Sequence, residues 1–229
     1  QVSEAECGTG QMSQVDSDSS ADAALDGFAT LPASVAEYRW SGAPSDGETL
    51  YSIANYSIDG NLATRTYYGP RASIDAVESY VRDEEGRLIE RRLKDGDGNT
   101  LRVHRISDPA QGGGSGEVVL DASGQVIERV ERTAIEGSGA GEPGKVEERL
   151  YDASGVLVLT RLRADDEWGN PVSIMEGGPD GTLLRAVEYE YNRDSWNNWI
   201  ERRDYDVVTN VSVILVAGAS RYLSYPGAG

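Results

Sequence analysis

One cysteine, one histidine, one phenylalanine, two methionines and no long apolar run stand in 229 residues, and each scarcity closes off a class of function. Cys7 has no partner for an intramolecular disulfide, which leaves an intersubunit bond, an inert thiol or a lipid anchor; Glu4-Ala5-Glu6 ahead of it does not read as a lipoprotein cleavage signal. Any Ser-His-Asp or Cys-His mechanism has to pass through His104, which lies in Leu101-Arg102-Val103-His104-Arg105 with no small-residue elbow beside it. Zinc centres built from several His or Cys are excluded by count. The longest apolar run, Val211 to Ala217, is broken by Ser212 and falls far short of the roughly twenty residues of a spanning helix, so no membrane insertion is expected. No charged and apolar leader stands ahead of the first strands, as expected of an exported chain whose leader has been removed. Basic residues are scarce as well: 21 Lys and Arg face 39 Asp and Glu, a net charge of −18 with no basic run, which argues against a nucleic-acid partner.

What is present is a repeat. Leu88-Ile89-Glu90-Arg91-Arg92, Val126-Ile127-Glu128-Arg129-Val130 and Trp199-Ile200-Glu201-Arg202-Arg203 each follow a tight turn, and weaker copies follow Gly60, Gly98, Gly155 and Gly169. An aspartate stands three places before the turn residue in six of the seven: Asp83, Asp95, Asp121, Asp152, Asp166 and Asp194. Gly and Asn tolerate the positive φ of a two-residue hairpin loop, and an Asp at the end of the incoming strand accepts hydrogen bonds from turn N–H groups.

This pattern, with Leu150-Tyr151-Asp152-Ala153-Ser154-Gly155 as its fullest copy, resembles the YD-repeat or RHS-repeat family of bacterial secreted and cell-surface proteins over residues 46 to 206. In that family the repeats form a long sheet that winds into a shell around a toxin, and this chain carries no toxin or protease module. The resemblance implies export to the cell surface or extracellular space, with the periplasm as the alternative. The expected fold is all-β with little helix: an elongated antiparallel hairpin meander or solenoid-like repeat sheet, its repeat turns mainly along one side. Residues 1–35 read as an N-terminal arm, 36–206 as hairpin repeats and 207–229 as an apolar terminal strand and tail.

Candidate sites are few. Asp95-Gly96-Asp97-Gly98-Asn99 begins like a calcium loop, but Thr100 stands where a glycine is needed and Ile106 where a bidentate Glu belongs, so it reads as a turn and no metal or other cofactor is expected. Acidic pairs such as Asp165-Asp166 read as solvated faces rather than glycosidase carboxylates. Trp168, Trp196 and Trp199 lie at or beside turns and present flat surfaces to a ligand, sugar rings being implied by the family. Cys7, Val211, Val213 and Leu215 are the candidate contacts between subunits, because an unpaired apolar strand is an aggregation hazard. The function these readings favour is a non-enzymatic, exported structural subunit that assembles with copies of itself through its arm or terminal strand; the alternative is a YD-repeat module binding a cell-surface carbohydrate or another partner.

Overall fold

The computed structural model describes residues 32–41, 47–57, 59–107, 115–135, 144–209 and 212–225. Strands β1 (Ser34–Ser41), β2 (Thr49–Tyr56), β3 (Leu62–Tyr68) and β4 (Ile74–Arg82) are followed by β5 (Leu88–Asp95), β6 (Thr100–Ser107) and β7 (Gly116–Asp121). The second half runs through β8 (Val126–Ile135), β9 (Lys145–Asp152), β10 (Leu157–Asp165) and β11 (Pro171–Gly177) to β12 (Leu183–Arg193), β13 (Trp199–Thr209) and β14 (Ser212–Ser224). Each strand pairs antiparallel with the next, and β14 returns to β1, so the sheet is a closed barrel of fourteen strands. The elongated open meander or solenoid expected from the repeats is therefore corrected.

The turns themselves explain the closure. In each repeat turn the N–H of the Asp, or of Ser57 before Gly60, bonds the carbonyl four residues on, as from Asp83 to Arg87 (3.0 Å), and the N–H of the Gly, or of Asn197, bonds back to that residue's carbonyl. The Asp carboxylate takes the N–H groups two and four residues further on, 3.1 and 2.8 Å away at Asp83. The loop thus holds three residues, one more than expected, with its third in the left-handed region: φ is 80 to 88° at the six glycines and 63° at Asn197. Three-residue loops of this kind leave a bulge in the neighbouring ladder, and a bulge adds twist and bends the sheet. Register shifts occur in eleven of the fourteen strand pairings. Bending repeated at nearly every hairpin accumulates until the last strand meets the first. Because strands alternate in direction, the turns at Gly60, Gly86, Gly169 and Asn197 fall on one rim and those at Gly98, Gly124 and Gly155 on the other, rather than along one side.

The seam between β1 and β14 runs from Ser34 opposite Ser224 to Ser41 opposite Ala217 without a shift. Arg221 reaches Glu37 across it at 3.4 Å, and Tyr38 meets Tyr222 edge-on. Trp40 lies on the backbone of Gly218, where an added Cβ would stand 2.2 Å from Cζ2 of the indole and 2.4 Å from the Arg202 carbonyl oxygen. Near the rim where β1 begins, Val35, Ala54, Tyr56 and Leu62 form a buried cluster joined by Tyr80 and Leu223. Backbone approaches of any extent run only between strands that are neighbours round the barrel.

β14 pairs with β13 from Ser212 to Ser220 and with β1 from Ala217 to Ser224, so the terminal strand is used within one chain. Strand exchange between subunits as the basis of a self-assembling protein is overturned by that closure. Val213 pairs with Val207 and Leu215 with Tyr205 through their backbones, while Cys7, Val211 and nearly all of the N-terminal arm lie outside the described residues.

Substituting Gly218 with Ala forces the Trp40 ring off the seam and is expected to cost about 1–3 kcal/mol, the range for overpacking a close-packed site. Gly144→Ala, where a Cβ meets nothing within 4 Å, is expected to change stability by less than about 0.5 kcal/mol. Urea denaturation of the two variants beside the parent checks both.

Candidate functional site: a charged ladder on the inner wall

In a closed barrel alternate side chains face the lumen, and the buried ones identify which. Glu78 on β4, Glu117 on β7 and Glu148 on β9 are each less than a tenth exposed, yet all three are charged positions. Arginines bridge them. Arg91 on β5 lies 3.5 Å from Glu78 and 2.7 Å from Glu117; Arg132 on β8 lies 3.0 Å from Glu117 and 2.8 Å from Glu148. Arg161 on β10 continues from Glu148 (3.0 Å) to Glu176 on β11 (2.8 Å). His104 on β6 fills the remaining place, its Nδ1 2.5 Å from Glu117 Oε1. Eight consecutive strands thus contribute one polar group each to an unbroken ladder in which carboxylates alternate with arginines, except on β6, where His104 stands between Arg91 and Glu117.

Position in the strands sets this alignment. Arg132 stands directly across from Glu148, Glu148 from Arg161, and Arg161 from Glu176, so each pair is a cross-strand neighbour on one face. Val130, Leu150 and Leu159 occupy the same face on one side of the ladder and shield it. At its β4 end Glu78 also accepts the Tyr80 hydroxyl at 2.6 Å and the Tyr67 hydroxyl at 3.1 Å. Burial, with the Glu78 charge beside it, pushes the Tyr67 phenol up to about 12.

Burial alone would raise the Glu117 carboxyl, but the His104 hydrogen bond and the charges of Arg91 and Arg132 outweigh it and hold the group at about 2. Glu148 is likewise buried yet lowered, through Arg132 and Arg161. The carboxylates lie deep, whereas the guanidinium-bearing side chains of Arg91, Arg132 and Arg161 are about 30% exposed, so cations are what the ladder offers to anything in the lumen. Among the described residues no group of three or more His, Cys, Asp or Glu is placed to hold a metal ion. The outward positions of the same strands mix aliphatics such as Ile127, Val158 and Met175 with ion pairs, Arg149 to Glu147 at 2.6 Å and Arg92 to Glu90 at 2.5 Å among them.

The three tryptophans do gather at one rim, but as part of its structure. Trp199 is 3% exposed, covered by Arg221 at 3.6 Å from its ring and by Tyr191, so it has no free face. Trp168 carries the guanidinium of Arg193, which also pairs with Asp166. Trp196 packs on Tyr225, whose hydroxyl donates to Asp194 and accepts from Asn198. Of the acidic pair, Asp165 is buried rather than solvated: burial first, then the charges of Asp166 and Glu148, raise its carboxyl, and only one of its oxygens is bonded, to Arg163. Asp95 spends its carboxylate on the N–H groups of Asp97 and Asn99 and the Asn99 amide, as a turn does.

The ladder was legible as a spacing. Ser52, Arg65, Glu78, Arg91, His104 and Glu117 follow one another at intervals of thirteen residues, the length of one strand and its turn, and Ser52 and Arg65 extend the same inner row onto β2 and β3. Attention to pairs adjacent in sequence misses a row built from one residue per strand.

No protein-family model and no curated protein sequence matches the chain. Among solved structures it is similar to a porin-like protein from Bacteroides uniformis ATCC 8492, with a TM-score of 0.51 at 8% identity over 84% of this chain and 96% of that one. A porin-like protein from Bacteroides vulgatus ATCC 8482 follows, with a TM-score of 0.47 at 12% identity, covering 86% of this chain and 99% of that one. A LolA superfamily protein from Nitrosomonas europaea reaches 0.36 at 10% identity, covering 92% and 94%. At these identities the likeness is one of fold. The closed barrel, a fold shared with the first of these structures, overturns the YD-repeat or RHS-repeat resemblance, and with it the self-assembling surface subunit and the carbohydrate-binding module that it implied. The barrel also removes the ground of the expectation of no membrane insertion. That expectation rested on the lack of an apolar helix; no helix among the described residues is long and apolar enough to cross a membrane, and this says nothing of a barrel, which crosses with strands.

Glu117 titrates lower in the fold than its ordinary value of 4.5, so its contribution is complete above that value and is lost as pH falls from 4.5 towards 2. The loss is expected to be on the order of 3 kcal/mol for this one group, read as a falling urea midpoint across a series of acid buffers. Glu117→Gln takes one carboxylate from Arg91, Arg132 and His104 while Glu78 and Glu148 remain; it is expected to cost about 1.5–3 kcal/mol at neutral pH and to flatten that acid dependence.

Proposed function

We propose that the protein is a non-catalytic transport or carrier barrel, exported or surface-associated, whose lumen handles hydrophilic and preferentially anionic solutes. The observation that carries this reading is the ladder. A lumen meant for acyl chains gains nothing from a row of charges on its wall, whereas partly solvated guanidinium groups above buried carboxylates offer fixed donors to carboxylate, sulfate or phosphate groups. Charged rings on a pore wall select by the same means in channels. The pairing keeps the guanidinium groups from collapsing into the wall or drifting with a solute, because each is anchored from behind by a carboxylate. The porin-like description of a structure sharing this fold supports transport over a structural role, and an envelope or surface location over a cytoplasmic one.

Reconstitution of the full chain into lipid vesicles is expected to give flux of small anions several-fold above that of cations of equal size, read with entrapped reporter dyes. Equilibrium dialysis against labelled succinate tests the carrier form, in which solute is retained without flux. Replacing Arg132 and Arg161 by Gln lowers the anion preference in whichever assay is positive. Neither flux nor retention, or an unaltered preference in the double variant, would refute the reading.

A further inference from the structure

We infer a second binding site, distinct from the lumen ladder, at the rim where β1 turns into β2 and β3 into β4: a cleft for a small organic anion with an apolar body. The cleft has a volume of about 480 Å³, and Arg39 and Arg71 flank it while Leu50, Tyr51, Tyr68 and Pro70 supply its surface. That size suits a small ligand, and a mostly apolar surface with a few convergent polar groups is what such sites present.

Arg39 is set rigidly. Its Nε donates to Glu37 at 3.0 Å and its guanidinium lies 3.3 Å from the centroid of the Tyr51 ring, which in turn meets Tyr67 edge-on at 5.6 Å. Among the described residues the structure shows no acceptor for its remaining N–H groups. Arg71 is the opposite case. It has no ion pair or hydrogen-bond partner among the described residues, in a chain where carboxylates outnumber basic residues 39 to 21 and most of the arginines of the barrel wall are paired.

The backbone beneath Arg71 is strained. Arg71 and Ala72 both adopt left-handed conformations, with φ of 64° and 56°, in the turn closed by the Gly69 N–H to Ser73 carbonyl bond. Two successive left-handed residues are a position where Gly and Asn serve at little cost, and every repeat turn of this protein uses one of them. Here the chain has a large cation instead. Strain of this kind collects at binding sites, where the side chain so placed is worth more than the local conformation. The strain, a guanidinium without a partner among the described residues, and the aromatic cleft coincide at one place. A carboxylate seated between Arg71 and Arg39, its hydrocarbon on Leu50, Pro70 and the tyrosine rings, satisfies all three.

The test uses the intact chain and two probes of the same shape, 2-naphthoate and its neutral counterpart 2-naphthamide, followed by calorimetry and ligand-observed NMR. The carboxylate is expected to bind at least tenfold tighter than the amide. Arg71→Gly, which suits the positive φ and so keeps or raises the melting temperature, is expected to erase that difference, while Arg71→Lys restores part of it. Arg149→Gln, on the outer face and part of neither site, is expected to leave both affinities unchanged. Equal binding of the two probes, no binding of either, an Arg71→Gly variant that still discriminates, or a matching loss in Arg149→Gln would each overturn the inference; discrimination that survives Arg71→Gly but is lost when Arg132→Gln is added would assign the anion to the lumen and leave the proposed transport role standing.

Discussion

Glu117 is the group on which the inner wall depends. Its two oxygens meet His104, Arg91 and Arg132, so three strands besides its own are tied through one carboxylate that is 5% exposed. A carboxylate so deep is tolerated only because its partners more than offset the loss of water. The converse holds for the partners. Arg91 and Arg132 point inward because Glu117, Glu78 and Glu148 wait there, and without them the barrel would have to turn its cations outward or widen to hydrate them.

The ladder and the barrel constrain each other. A row of one residue per strand stays level only if the register between strands is fixed, and register is fixed by the turns that join them. The Asp-led turns set both the loop length and the bulge beside it, so the same residues that curl the sheet also bring Glu148 opposite Arg161 and Arg161 opposite Glu176. Insertion of a residue in one strand between its turn and its ladder position would send that side chain to the outer face and leave two neighbours unpaired.

The parts of this arrangement that were legible in the sequence are the local ones. Asp83, Asp121 and Asp152, each three places before a glycine, specify their turns through bonds that close within five residues, and nothing distant can override them. Closure was not legible, because it is the sum of small bends at eleven pairings, and no single one of them distinguishes an open sheet from a closed one. The tryptophans show a second limit. A turn position predicts that Trp199 is near the rim but not that Arg221, from a strand twenty residues later, will cover its ring. Asp165 and Asp166 are neighbours in sequence and differ in surroundings for the same reason: the bulge at Ala164 turns one of them into the wall.

The seam of the barrel has a consequence in time. Thirteen of the fourteen strand pairings join segments that follow one another in the chain, so each hairpin can form as soon as its second strand exists. The seam joins Glu37 to Arg221, 184 residues apart, and it has to wait for all the rest. Until then β1 and β14 are two bare edges, and the stretch Ser212 to Ser220 on the second of them carries no charge. The folding of this protein is therefore governed by a race, between the last strand finding the first strand of its own molecule and finding that of a neighbour. Dilution, slow delivery or a holding chaperone decides the race in favour of the closed form, and once closed the barrel removes the edge that made it dangerous.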